Sequence, residues 1–175
     1  MAEDYTFAKH CHRYACWTAS RAASAGRFKN KEIAWFIEII GLRECLESLK
    51  CEGKISSLRY EEWFLEAVTT LKSQMKAFVS KRRRNISFGV AAKVVSIYVK
   101  TYEVIAEKGN SPISRVAYPP IDSFLLKNLI KHKKVRLKRT DWSKFKKRTY
   151  LKTICEMKKL THGRALWKLE AFWTS

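Results

Sequence analysis

The segment over residues 90–106 constrains the fold most, because it is apolar on nearly every side. A surface helix is apolar along one face, whereas a helix that is apolar all round is buried by its neighbours. The polar exceptions follow the spacing i, i+3, i+7, i+10 and i+14, which is one narrow stripe on a helix; they are Lys93, Ser96, Lys100, Glu103 and Glu107. The sequence therefore predicts a central buried helix, surrounded by other elements, with a single polar stripe.

The rest of the chain has the apolar spacing of amphipathic helices and no useful segment with the two-residue period of a strand. Only 6 Gly and 3 Pro occur in 175 residues, which argues against a turn-rich β-sandwich. We predict helices over residues 5–25, 30–40, 57–79, 90–106, 123–131 and 165–173, basic helical segments up to residue 160, a short irregular helix or linker over 43–54, and a loop over 108–118. Asp122 stands at the N-cap position before the 123–131 helix. The fold class is all-α: one compact helical domain over residues 1–175, or two helical subdomains with a groove between them.

Several classes of protein are disfavoured. The longest apolar stretch, residues 33–40, contains Glu38 and is far shorter than a membrane span, and no signal peptide is visible at the N-terminus. We therefore expect a cytoplasmic protein with no membrane partner. Its five cysteines are odd in number and lack a framework spacing, which favours reduced thiols.

Four residues that can bind a metal ion lie close together near the N-terminus: His10, Cys11, His12 and Cys16. No second pair of ligands follows at the spacing of a zinc site, so a helix surface with ordinary thiols is favoured. We expect no metal and no cofactor.

Positive charge is concentrated toward the C-terminus. The chain has a formal net charge of +20, of which residues 1–80 carry +2 and residues 127–175 carry +13. Aromatic and aliphatic residues interrupt the basic run, which favours a folded nucleic-acid-binding face over a disordered tail. An acidic protein or an anionic membrane surface is an alternative partner. The residues predicted to contact phosphates are Lys81, Arg82, Arg83, Arg84, Lys133, Lys134, Arg136, Lys138 and Arg139.

Two short segments carry a resemblance to a known family. Residues 88–95, Phe-Gly-Val-Ala-Ala-Lys-Val-Val, are followed by residues 118–123, Tyr-Pro-Pro-Ile-Asp-Ser. Together they resemble the catalytic core of the helix-hairpin-helix DNA glycosylases, over roughly residues 81–130. Gly89 and Lys93 match the first hairpin glycine and the lysine four residues later, and Asp122 follows a Pro-hydrophobic pair. Ala91 stands at the second hairpin glycine, and the long gap between lysine and aspartate is most like the archaeal 8-oxoguanine glycosylase branch.

The resemblance implies a DNA glycosylase with abasic-site lyase activity, in which Lys93 is the nucleophile and Asp122 accepts its proton. Such an enzyme acts on double-stranded DNA that carries a damaged or modified base, and it extrudes the target base from the helix. It also implies that the hairpin around Gly89 and Ala91 holds a backbone phosphate. The aromatic candidates for the base pocket are Tyr14, Trp17, Tyr98, Tyr102 and Trp142, and we expect a monomer.

Simpler explanations exist for each of these features. A lysine on a polar stripe is often on a solvated face, and an aspartate after two prolines is an adequate helix cap. The alternative function is a non-catalytic, basic nucleic-acid-binding module on the same helical scaffold. The two are separated by whether Lys93 and Asp122 face one another beside a pocket.

Overall fold

The computed structural model describes residues 4–23, 28–78, 86–133 and 141–173. These residues form helices and no strand, so the predicted all-α class is confirmed. Eight α-helices lie within these ranges: α1 (Phe7–Ala23), α2 (Asn30–Ile39), α3 (Leu42–Cys51), α4 (Ser57–Phe78), α5 (Phe88–Val99), α6 (Pro112–Val116), α7 (Ser123–Lys133) and α8 (Lys147–Thr161). A π-helical segment (Lys100–Ile105) continues α5, and two 3₁₀ segments, Trp142–Lys144 and Leu166–Phe172, flank α8.

Helix α5 is the centre of the molecule. Every one of its residues from Phe88 to Val99 is buried, as its continuous apolar sequence predicts. It packs against α1, α4, α8 and the 3₁₀ segment Trp142–Lys144. The Ser87 side chain accepts a hydrogen bond from the Val90 amide at 3.1 Å and so caps the helix N-terminus.

The polar stripe on this helix is not a solvated face. All five of its residues are paired with side chains from other elements: Lys93 with Asp122, Ser96 with Tyr150, Lys100 with Glu170, and both Glu103 and Glu107 with Lys50. Of the five, Glu107 is the exposed one. The stripe is therefore a line of polar contacts between the central helix and the elements around it.

The structure differs from the sequence-based prediction in three segments. Residues 42–51 form a regular helix, because Leu42, Leu46 and Leu49 share one face and are all buried. The predicted loop contains the short helix α6, which Ser111 caps through the Ser114 amide. The last segment is a 3₁₀ helix.

The buried apolar side chains of the described residues form one connected core cluster. Aromatic residues dominate its interior, and Tyr60, Phe64 and Tyr150 lie in edge or stacked contact with one another or with neighbouring rings. Among the described helices, none combines the length and the apolar character needed to cross a bilayer.

Candidate active site

Lys93 on α5 and Asp122 at the start of α7 lie close together, although 28 residues separate them in the chain. The Lys93 Nζ atom lies 3.6 Å from Asp122 Oδ2. Both side chains are buried, with 10% and 8% of their surface exposed. The lysine on the polar stripe is thus an internal amine that faces a carboxylate.

Asp122 has a second contact that fixes its orientation. Its Oδ1 atom accepts a hydrogen bond from the Leu125 amide at 2.9 Å, which caps α7 as the sequence predicts. One carboxylate oxygen is therefore committed to the helix, and the other faces Lys93.

Burial lowers the pKa of Lys93 below the usual lysine value, and the charge of Asp122 partly opposes this effect. The helix predicted from the sequence begins at residue 90, which would place Lys93 in its first turn. There the helix dipole would lower the lysine pKa further. Since α5 begins at Phe88, Lys93 lies in the second turn, where the field of the helix end has weakened. Desolvation is therefore the main reason that this amine holds its proton weakly.

Gly89 allows a close backbone contact that places an aromatic ring beside Lys93. The Gly89 amide donates to the Phe145 carbonyl oxygen at 3.0 Å, and a Cβ atom at Gly89 would lie only 2.0 Å from the Trp142 carbonyl oxygen. The 3₁₀ segment that begins at Trp142 therefore rests directly on the first turn of α5. From this position the Trp142 ring lies 4.4 Å from the Lys93 Nζ atom, measured to its centroid.

The predicted role of Gly89 and Ala91 in phosphate binding needs correction. The Gly89 amide is already bonded to Phe145, and Ala91 is fully buried. The Trp142–Lys144 segment covers this end of α5, so a backbone phosphate cannot reach the two amides in this conformation.

A cavity of about 340 Å³ opens beside the Lys93–Asp122 pair. Its wall combines three aromatic rings and three aliphatic residues with seven polar or charged side chains. Its lining residues are Tyr14, Trp17, Thr18, Arg21, Lys93, Ile97, Lys100, Thr101, Ile105, Pro120, Asp122, Glu170 and Trp173. Tyr14 and Trp17 stack on one another with their centroids 5.6 Å apart.

Of the five predicted pocket aromatics, the structure places Tyr14 and Trp17 in the wall. Tyr98 is wrong as a pocket residue: it is fully buried, and its hydroxyl lies 2.7 Å from His12 Nδ1 on the far side of α1. Tyr102 stacks on Tyr98 and does not reach the cavity either. Trp142 contacts Lys93 but lies outside the lining residues.

Sequence reasoning missed an ion pair and a ring in the same wall. Lys100 pairs with Glu170, whose pKa is raised by burial against the influence of Lys100. Trp173 is 50% exposed at the cavity, and the centroid of its ring lies 5.3 Å from the Lys100 Nζ atom. The spacing of the polar stripe places Lys100 on the same helix face as Lys93. No pattern in the sequence predicts that residues 170 and 173 pack against this face.

Most predicted phosphate contacts lie outside the described residues. These are Lys81, Arg82, Arg83, Arg84, Lys134, Arg136, Lys138 and Arg139. Lys133 is the last residue of α7, and the structure describes its backbone and not its side chain. The described part of the chain does contain an exposed basic face on α8, where Lys147, Arg148 and Lys152 surround a shallow depression.

No protein-family model, no curated protein and no solved structure matches this chain. The likeness to the helix-hairpin-helix glycosylases is therefore a resemblance of short motifs. Of those motifs, the lysine and the aspartate face one another, whereas the hairpin glycine packs against protein backbone.

Proposed function

We propose that this protein is a DNA glycosylase with abasic-site lyase activity, and that Lys93 is its nucleophile. One observation carries the proposal: a buried amine lies 3.6 Å from a buried carboxylate in the wall of an aromatic-lined cavity of about 340 Å³. Cavities of about 300–1,000 Å³ are typical of sites for small organic groups. A single extruded nucleobase is a group of this kind.

The lowered pKa of Lys93 supports its role as a nucleophile, because only the neutral amine has a free electron pair. In the proposed reaction this pair attacks C1′ of the extruded nucleotide. The glycosidic bond breaks, and the base leaves with the bonding electrons and takes up a proton. The nitrogen then loses a proton, and its electron pair opens the sugar ring at O4′, which takes up a proton, to give an iminium between Lys93 and C1′. Removal of a proton from C2′ expels the 3′ phosphate with the electrons of its bond to C3′. Water finally hydrolyses the iminium and releases the lysine.

Asp122 supports this chemistry in two ways. Its Oδ2 atom is close enough to take the proton that Lys93 must lose before attack. Its negative charge also stabilises the cationic sugar that develops as the base departs. Because the cap bond to Leu125 holds Oδ1, the charge is positioned before the substrate arrives.

The cavity wall and the protein surface support a nucleic-acid substrate. Tyr14, Trp17 and Trp173 are each about half exposed beside the cavity, as rings must be if a base is to stack on them. The basic face of α8 and the net charge of +20 favour binding to a polyanion.

Borohydride trapping tests the proposal. Oligonucleotides that carry oxidised bases or an abasic site are incubated with the full chain and reduced, which converts an iminium into a stable covalent adduct. We expect an adduct and strand scission with the unmodified protein, and loss of both with Lys93→Gln while DNA binding is retained. Lys76→Gln, an exposed lysine on α4, is the matched control and should trap as well as the unmodified protein.

An adduct that survives Lys93→Gln would assign the nucleophile to another amine. If no substrate in the panel gives base release or an adduct, while salt-dependent binding to DNA is present, the non-catalytic binding module is the correct function.

A further inference from the structure

Three metal-ligand side chains converge between α1 and α2, away from the cavity. They are His12 and Cys16 on α1 and Glu38 on α2. One potential ligand atom from each lies within 4.8 Å of the other two. None of the three has a part in the proposed glycosylase reaction.

The helical spacing explains the convergence. His12 and Cys16 are four residues apart, so they share one face of α1 and point the same way. Their contact pairs Cys16 Sγ with His12 Nε2 at 3.7 Å, and the same nitrogen lies 2.6 Å from Glu38 Oε1. Around a tetrahedral zinc ion, a sulfur and a nitrogen ligand are about 3.6 Å apart, as follows from bonds of about 2.3 and 2.05 Å.

Of the two contacts of His12 Nε2, the one with Glu38 is too short for two ligands of one metal ion. A nitrogen and an oxygen ligand of zinc are separated by about 3.4 Å, so the 2.6 Å contact has to open by several tenths of an ångström. The Glu38 side chain is 61% exposed, and a small rotation toward solvent provides this distance. His12 and Cys16 are buried and already stand at the right separation.

A second contact orients the histidine ring. His12 Nδ1 lies 2.7 Å from the hydroxyl of Tyr98, which is fully buried. A phenol can accept a hydrogen bond from Nδ1–H, and this leaves the lone pair of Nε2 directed at Cys16 and Glu38. Metal-bound histidines are held in this way by a partner on their other nitrogen.

The charges in the neighbourhood suit a divalent ion. A thiolate and a carboxylate together neutralise its two positive charges, and the imidazole adds none. Arg43 is a cation whose charge acts on Cys16, and its guanidinium is paired with Glu44 at 2.8 Å. Without a metal, burial and the charge of Glu38 raise the pKa of Cys16 to about 12, so the thiol is protonated.

We propose that His12 Nε2, Cys16 Sγ and Glu38 Oε1 bind a zinc ion that joins α1 to α2, with its fourth position open to solvent on the Glu38 side. A mixed nitrogen, sulfur and oxygen donor set suits this borderline-soft metal. Binding deprotonates the Cys16 thiol, and the proton goes to solvent. This reverses the expectation from the sequence that the chain holds no metal. His10 takes no part in the site, because residues two apart on a helix do not face one another and His10 does not join the cluster of His12, Cys16 and Glu38.

Cobalt substitution tests the site directly. The full chain is stripped of metal with a chelator and titrated with Co²⁺, whose thiolate complexes give a charge-transfer band and whose tetrahedral sites give intense visible bands. We expect both bands to saturate at one equivalent and the charge-transfer band to disappear in Cys16→Ser. Cys45→Ser removes an exposed thiol outside the cluster and should leave the spectrum unchanged.

Zinc affinity gives an independent measurement. Competition with a coloured chelator should show that Glu38→Gln weakens zinc binding by about tenfold or more, while the exposed position of this residue preserves the fold. Zinc should also raise the unfolding temperature of the unmodified protein and not that of Cys16→Ser.

A charge-transfer band that persists in Cys16→Ser, or its absence from the unmodified protein, would overturn the proposal. So would an unchanged zinc affinity in Glu38→Gln. None of these readouts uses DNA, so they leave the proposed glycosylase function untouched, whatever their result.

Discussion

At the scale of single residues, two opposing effects act on the Lys93 amine. Burial disfavours its charged form, and Asp122 favours it, with burial the larger effect. The folded protein therefore holds this proton less tightly than the unfolded chain does. Between the lowered pKa and the usual lysine value of 10.5, folding releases a proton, so the free energy of unfolding should rise with pH in that range.

We expect direct titration to show this shift. In a ¹³C spectrum of lysine-labelled protein, the Cε signal that disappears in Lys93→Gln should titrate below pH 10.5. Asp122→Asn should move that midpoint further down, because the substitution removes the charge that raises the lysine pKa. Asparagine is also a good N-cap, so the comparison leaves the start of α7 intact. A midpoint at the value of exposed lysines would contradict the buried, weakly basic amine.

Gly89 has a steric role that a substitution should reveal. In Gly89→Ala the new Cβ atom would meet the Trp142 carbonyl oxygen, a backbone atom that cannot simply rotate away. We expect the free energy of unfolding to fall by about 1–3 kcal/mol, the usual cost of overpacking, measured by urea denaturation. Adduct formation should fall as well, since the Trp142 ring is displaced from Lys93.

Gly53→Ala is the contrasting variant, because its Cβ atom would meet no neighbour and only the left-handed backbone (φ 74°) opposes it. Its cost should be about 1 kcal/mol, with adduct formation unchanged. Equal effects of the two substitutions on adduct formation would show that Gly89 does not position the site.

At the scale of elements, the polar stripe ties the central helix and its π-helical extension to their neighbours. Glu103 has 1% of its side chain exposed and is paired with Lys50 at 3.3 Å. Within the described residues its Oε1 atom has no hydrogen-bond partner. Lys50 on α3 is therefore the main group that stabilises the charge of this buried carboxylate.

Removal of that lysine should be costly. Lys50→Met leaves the Glu103 carboxylate without its counter-ion, and we expect a loss of about 1–3 kcal/mol in the free energy of unfolding at pH 7. Lys54→Met, at an exposed position just beyond α3, is the control and should change stability little. Equal stability of the two variants would mean that the buried pair contributes nothing.

The sequence predicts the elements better than their contacts. The all-round apolar pattern of α5 and the Asp122 cap are local signals, and both are confirmed. The departure to a π-helix at Lys100 has no local signal, because it depends on the contacts of several elements. The prediction that Lys93 and Asp122 lie close together came from the motif resemblance. The hydrophobic spacing of the helices does not predict the distance between these two residues.

The aromatic candidates show the same limit. Tyr98 and Tyr102 lie on the same helical stretch as Lys93, but their positions turn them toward α1 and the core. Trp173 belongs to a distant segment whose docking depends on the whole fold. Aromatic content therefore indicates a pocket without identifying which rings line it.

At the scale of the whole molecule, positive charge is distributed unevenly between the two halves of the chain. If the α8 face binds DNA, the logarithm of the binding constant should fall linearly with the logarithm of salt concentration. Neutralising Lys147, Arg148 and Lys152 with glutamine should reduce that slope by up to about 2.7, which is about 0.9 for each lost phosphate contact. Binding is measured by fluorescence anisotropy over a range of salt.

The matched control removes the same number of charges elsewhere. Lys31, Lys54 and Lys76 are exposed in the first half of the chain, and their replacement by glutamine changes the net charge equally. The slope should then stay close to that of the unmodified protein. Similar slopes for the two triple variants would indicate that overall charge, and not the α8 face, governs binding.

The two contacts of Asp122, with the Leu125 amide and with Lys93, affect which substitutions this site can accept during evolution. If Lys93 is the nucleophile as proposed, a descendant that had lost the activity would still gain stability from the aspartate, because the first turn of α7 depends on its Oδ1 atom. The Lys93 amine holds no helix end, so such a descendant needs at position 93 only a side chain that gives the buried Asp122 Oδ2 atom a polar partner, such as glutamine. Among homologues, position 93 should therefore vary once the proposed activity is lost, while aspartate at 122 should persist.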